Sequence, residues 1–203
     1  MQGKDLTGIH IEGHIKIHNP DTGEVFVNKR NAIHYENMSI SLAESIANAG
    51  QGFIYEMAFG NGGTTIDPTG IITYLTPNST GTNASLYNET YTKVVDDRAS
   101  VNLDPIRNKI ETRHVTGTNY TDVFITCLLD YGEPSGQEAF DTSTTADGTY
   151  IFDELGLKSY SATGTSRLLT HVIFHPVQKS LNRLIQIDYT VRIQSLTGLS
   201  EVA

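Results

Sequence analysis

Apolar and polar residues alternate along the last third of the chain. Ile185, Ile187, Tyr189, Val191 and Ile193 interleave with Gln186, Asp188, Thr190, Arg192 and Gln194. This period of two predicts a long strand with one buried and one wet face. Leu6–His18 repeats it, with Ile9, Ile11, Ile15 and Ile17 against His10, Glu12, His14, Lys16 and His18. Gly13 falls mid-strand, where a bulge or a close neighbour is expected. Asn19-Pro20-Asp21-Thr22-Gly23 predicts a turn, because Pro20 presets φ and Gly23 takes a positive φ cheaply. Glu24–Val27 then returns as the second strand of a hairpin. Lys109–Thr116 and Tyr120–Tyr131 predict a second hairpin through Gly117-Thr118-Asn119. Further strands are expected at Phe53–Phe59, Tyr150–Leu155 and Leu168–Phe174, the last stopped by Pro176. The connection from His175 to Arg183 is short, which pairs that strand with the final one.

A single helix interrupts the strands, over about 39–49. Ser41-x-x-Glu44 reads as a capping box with Ser39 as the rival cap, Leu42, Ala43, Ile46 and Ala47 as the apolar stripe, and Gly50 as the stop. Two stretches lack periodicity. Residues 64–100 are rich in Thr, Asn, Pro and Gly, and read as an extended arm ordered by a neighbouring subunit. Residues 132–148 read as a polar loop. The expected fold is mainly β: one antiparallel β-sandwich or barrel-like domain over residues 1–203, with about eight strands, one short helix and long loop arms. No βαβ alternation is present, which argues against a doubly wound parallel sheet.

Composition narrows the function. The formal net charge is -9, and no Lys/Arg cluster exceeds Lys29-Arg30. Nucleic acid is repelled on average, so no sequence-specific nucleic-acid partner is expected. Cys127 is the one cysteine, which excludes an internal disulfide and fits a reducing compartment. It shares a strand face with Val123, Ile125 and Leu129, as a buried, inert thiol would. The N-terminal MQGKDLTGIH has no apolar signal core, and no apolar run is long enough to span a membrane.

Candidate chemistry is sparse. Gly60-Asn61-Gly62-Gly63 lacks the Lys-Ser/Thr of a phosphate loop, and a tight turn with positive φ accounts for it better. His10, His14 and His18 would share a helix face, but on a strand His10 and His18 lie about 27 Å apart, too far for one ion. His171 and His175 share a strand face but are likewise too distant. Asp96-Asp97 and Asp153-Glu154 lack a partner histidine or a nucleophile motif and read as solvated charges or turn formers. The Asn-x-Ser/Thr sites at Asn37, Asn78, Asn83, Asn88 and Asn119 follow from the Asn- and Thr-rich composition. No catalytic, cofactor or metal residue is assigned, and the chain is not expected to be an enzyme.

Three segments carry a resemblance. They are Gly13–Val25 (GHIKIHNPDTGEV), Met57–Gly63 (MAFGNGG) and Leu168–Arg183 (LLTHVIFHPVQKSLNR). With them the chain resembles virion structural proteins of tailed bacteriophages, cyanobacterial ones in particular. The resemblance implies a structural subunit of the particle, assembled in the host cytoplasm. Its partners would be copies of itself in a symmetric ring and other tail, neck or capsid proteins. A ring-forming tail or head-to-tail neck (connector or collar) protein is the expected place. A capsid decoration protein is the alternative, and a host-surface or glycan-binding adhesin, resting on Tyr74, Tyr87 and Tyr91, is a further one. The resemblance brings no catalytic residues.

Overall fold

The computed structural model describes residues 6–81, 84–134 and 149–199. In chain order these form strands β1 (Leu6–His18), β2 (Val25–Arg30) and β3 (Ala32–Ile33), then helix α1 (Tyr35–Ile46). Next come β4 (Ile54–Gly60), β5 (Thr64–Ile66), β6 (Ile72–Tyr74), β7 (Glu89–Val94), β8 (Lys109–His114) and β9 (Tyr120–Leu129). The last three are β10 (Thr149–Ser159), β11 (Thr170–Ser180) and β12 (Ile185–Leu199). Two five-stranded antiparallel sheets, ordered β2-β1-β12-β9-β8 and β3-β11-β10-β4-β7, pack as a sandwich. Neither sheet closes into a barrel, and β5-β6 form a separate two-stranded ribbon.

The first sheet follows the alternation. Register aligns Ile17, Ile187 and Cys127 in one row across three strands, and Ile15, Tyr189 and Ile125 in the next. All six side chains are fully buried and form one core with Met57, Phe59, Phe152, Leu155, Leu157 and Phe174 of the second sheet. At the first turn, Asn19 Oδ1 accepts the Asp21 N–H at 2.9 Å, and Gly23 sits at φ +76°. Gly13 has a close neighbour instead of a bulge: a Cβ there would lie 1.8 Å from Asn31 Oδ1.

Six expectations need correction. Twelve strands are present among the described residues, not about eight. The helix begins at Tyr35, because His34 is the N-cap and its Nδ1 accepts the Asn37 N–H at 3.2 Å. Ser41 is buried mid-helix, and Ile46 is 84% exposed. The buried face is therefore Asn37, Met38 and Ser41, turned inward because Asn37 Nδ2 donates to the Leu168 carbonyl. Asn48, at φ +51°, takes the left-handed position after the helix, ahead of Gly50. Pro176 does not stop β11: three residues, Phe174 to Pro176, face the single Asp153 of β10, and such a bulge tolerates the missing N–H. The final strand does not pair with β11. The short 181–184 link crosses between sheets, and β12 lies between β1 and β9.

The 64–100 segment is seated on its own body. β7 completes the second sheet beside β4, and Leu86 is 97% buried against Ala58 and Leu168. Its polar composition hid a strand whose main chain supplies the pairing. Of the polar loop, residues 135–148 lie outside the described residues.

Candidate functional site

A phase change in β10 builds the most concentrated polar site. Tyr150 and Phe152 point into the core, and so do Leu155 and Leu157. The apolar phase shifts by one residue between them, at a register shift opposite β11. Asp153 and Glu154 therefore both leave the core, opposite the bulge in β11. They meet the Gly60–Gly63 segment and the start of β7.

Seven hydrogen bonds converge on the two carboxylates. Glu154 Oε1 accepts the N–H groups of Gly62 at 3.1 Å and Asn88 at 2.8 Å. Glu154 Oε2 accepts the Tyr87 N–H at 3.0 Å and His171 Nε2 at 2.9 Å. Asp153 Oδ1 accepts the Gly63 N–H, and Oδ2 accepts both the Thr64 N–H and the Thr64 hydroxyl. His171 Nδ1 accepts the Asn78 N–H at 2.8 Å, which assigns the ring proton to Nε2. Glu154 and His171 are completely buried, and Asp153 nearly so.

The two neighbouring acids are tuned apart. Burial pushes the Glu154 carboxyl up, but the hydrogen bonds from His171, Asn88 and Tyr87 outweigh it, and its pKa is lowered. At Asp153 burial outweighs the bonds from Thr64 and Gly63, the Glu154 charge adds to it, and its pKa is raised.

The glycines serve close approach, not a special φ. None of Gly60, Gly62 and Gly63 has a positive φ, which corrects the tight-turn reading. A Cβ on Gly60 would lie 2.5 Å from the Asn88 carbonyl oxygen, and one on Gly62 would lie 2.7 Å from the Asn88 nitrogen. Asp153-Glu154 are likewise not solvated charges, and Glu154 does have a partner histidine, contributed by β11. Sequence spacing could not show this convergence of residues 60–64, 87–88, 153–154 and 171. The change of apolar phase from Tyr150/Phe152 to Leu155/Leu157 was the signal available. Both nitrogens of His171 are engaged and the nearby Thr64 hydroxyl is bound to Asp153, so the arrangement works as a clasp between distant segments.

A second corner buries cations. Lys179 is fully buried, and its Nζ donates to the carbonyls of Asp130 at 3.0 Å and Ser180 at 2.9 Å. Lys93 Nζ donates to the Leu128 carbonyl at 2.7 Å and to Glu133, whose carboxylate also accepts the Asp130 N–H at 2.9 Å. Burial pulls Lys179 down to about 8, against the charges of Glu133 and Asp130. Cys127 lies beside this corner, and burial pushes its thiol up to about 12, far from a reactive thiolate.

The remaining candidates are dispersed. His10 and His14 are exposed on β1, and His18 pairs with Asp188 at 2.9 Å. His175 is exposed beyond the β11 bulge and lies 3.3 Å from the Tyr74 hydroxyl, so it does not share the buried setting of His171. Asp96 forms a turn by accepting the Arg98 N–H at 3.1 Å, while Asp97 is exposed. Tyr91 packs on Phe59 with ring centroids 6.0 Å apart, which separates it from the half-exposed Tyr74 and Tyr87. Asn37 is buried, and Asn83 lies outside the described residues. No group of three or more His, Cys, Asp or Glu side chains able to hold a metal occurs among the described residues. Compared with family models, curated proteins and solved structures, the chain matches none.

Proposed function

We propose that this chain is a structural subunit of a tailed-phage virion, forming a ring in the tail or the head-to-tail neck. The reading starts from the resemblance carried by residues 13–25, 57–63 and 168–183. One structural observation supports a structural role: buried titratable side chains are spent on holding main chain. Asp153, Glu154 and His171 bind backbone N–H groups, and Lys179 and Lys93 bind backbone carbonyls. Such groups lend rigidity. Because residues 64–100 are seated on their own body, neighbours would be met by sheet margins and exposed apolar loops such as Val101, Leu103 and Ile106.

Electron cryo-microscopy of the purified protein and of particles containing it tests this reading. Closed rings of about six or twelve copies, matched to density in a tail or neck, are the expected result. Hundreds of copies over the shell would make it a decoration protein. Absence from every particle, with no ring in solution, would remove the proposal.

A further inference from the structure

The margin of β1 is unfinished. β1 pairs with β12 over its whole length, from Leu6 to His18. On its other edge β2 reaches only His14. The Asn31 N–H donates to the Gly13 carbonyl, and the chain then crosses to β3 in the other sheet. Main-chain groups of a strand alternate between its edges, so those of Ile11 and Ile9 face the same side as the Gly13 carbonyl, and among the described residues no strand pairs with them, although β3 of the other sheet packs near β1. Proteins commonly blunt such an edge with Pro, Lys or a covering loop. Residues 8–12 contain neither Pro nor Lys. Beside them lies an open groove of about 340 Å³, walled by Ile9 and Ile11 and by Tyr35, Met38 and Leu42 of α1. Ile9 is 66% and Tyr35 72% exposed there.

We propose that this edge pairs with the same edge of a second copy, antiparallel and two-fold symmetric about His10. Gly8-Ile9-His10-Ile11-Glu12 reads alike in both directions in its apolar and polar positions. Centring the pairing on His10 sets Ile9 opposite Ile11 of the other copy, on the groove side. Glu12 falls opposite Gly8, so no like charges oppose. Ile9 and Ile11 become the hydrogen-bonded pairs, and the two His10 residues form the non-hydrogen-bonded pair, with Cα atoms about 4.5 Å apart. Two five-stranded sheets then continue as one. The self-matching pattern selects a copy of this chain over an unrelated peptide, whose sequence would have to supply the match.

The full-length chain is tested by light scattering and by cysteine cross-linking. A concentration-dependent dimer is expected, at twice 22.3 kDa. Ile9→Pro removes an N–H that has no partner on this edge among the described residues. It removes two intermolecular bonds per dimer, which weakens association roughly thirty-fold with an unchanged circular-dichroism spectrum. If Ile9→Pro unfolds, Ile9→Lys serves, because it keeps the N–H and places a charge opposite Ile11. His10→Cys links two copies on mild oxidation, since the expected Cα spacing falls in the disulfide range. Val115→Cys, exposed on the far β8–β9 hairpin, does not. A wild type that stays monomeric at tens of micromolar overturns the proposal, and so does His10→Cys linking no faster than Val115→Cys. A dimer that survives Ile9→Lys also overturns it while leaving the virion reading intact, because rings are built on heterologous contacts, and absence from particles does the reverse.

Discussion

The carboxylate clasp and the lysine corner bury opposite charges by the same device, yet they do different work. Asp153 and Glu154 gather N–H groups from residues 62–64 and 87–88, two stretches far from β10 in sequence. Lys179 instead donates to its own neighbour Ser180 and to Asp130. Four carboxylate oxygens can accept many donors from many directions, whereas an ammonium has three donors on one flexible stem. The anions therefore dock two loop segments against β10, and the cations tie β7 and the end of β11 to the end of β9. The difference also sets the cost of removal. Losing the carboxylate leaves several part-buried N–H groups without their acceptor, while losing the ammonium releases carbonyls near the molecular edge and removes a desolvation penalty.

The largest effect is expected at Glu154. Glu154→Gln keeps the shape but turns an amide toward four donors, so a loss of about 3–5 kcal/mol in urea unfolding is expected. If Glu154→Gln costs no more than Lys179→Met, the contrast between the two corners fails. Gly62→Ala should follow, at about 1–3 kcal/mol, because its Cβ meets the Asn88 backbone. Equal stability would show that the segment can shift without loss.

Asp153→Asn is expected to cost about 1 kcal/mol at neutral pH. The native carboxyl is raised above its unfolded value, so Asp153 favours the fold more once protonated, and that advantage fades as pH rises through the native pKa. The Asn substitution should therefore hurt more near pH 4 than near pH 7. Glu154 works the other way, its stabilisation disappearing as pH falls through its lowered pKa.

Lys179→Met should be the mildest, within about 1 kcal/mol of wild type at pH 7. Its signature is a slope. Between about 8 in the fold and the ordinary 10.5, the unfolded chain binds the proton more tightly, so wild-type stability gains from this group as pH rises through that window. The Met variant should lack that gain in unfolding measured from pH 7.5 to 10.

The same two regions show what the sequence could disclose. β12 was legible because Ile185 to Val191 bury one face of a regular strand and the period of two is unbroken. In β10 the sequence pattern reaches only Leu155, because the phase shifts at Asp153–Glu154, opposite the β11 bulge, and Gly156 breaks the apolar run. The helix was found, but its cap was not. His34 does the work that Ser39 or Ser41 was expected to do, and buried Asn37 and Ser41 carry no apolar signal. Residues 64–100 were opaque because β7 (ETYTKV) is held by main-chain pairing, and Thr64, Tyr87 and Asn88 are held by acids 66 to 89 positions later, which no local pattern records.

Amide hydrogen exchange at Gly62, Tyr87 and Asn88 tests the clasp most directly. In the wild type these N–H groups should be protected nearly as well as those of β12, and in Glu154→Gln they alone should open while β12 stays protected. Wild-type exchange at these three positions as fast as in the exposed Asp67–Gly70 turn would contradict the account.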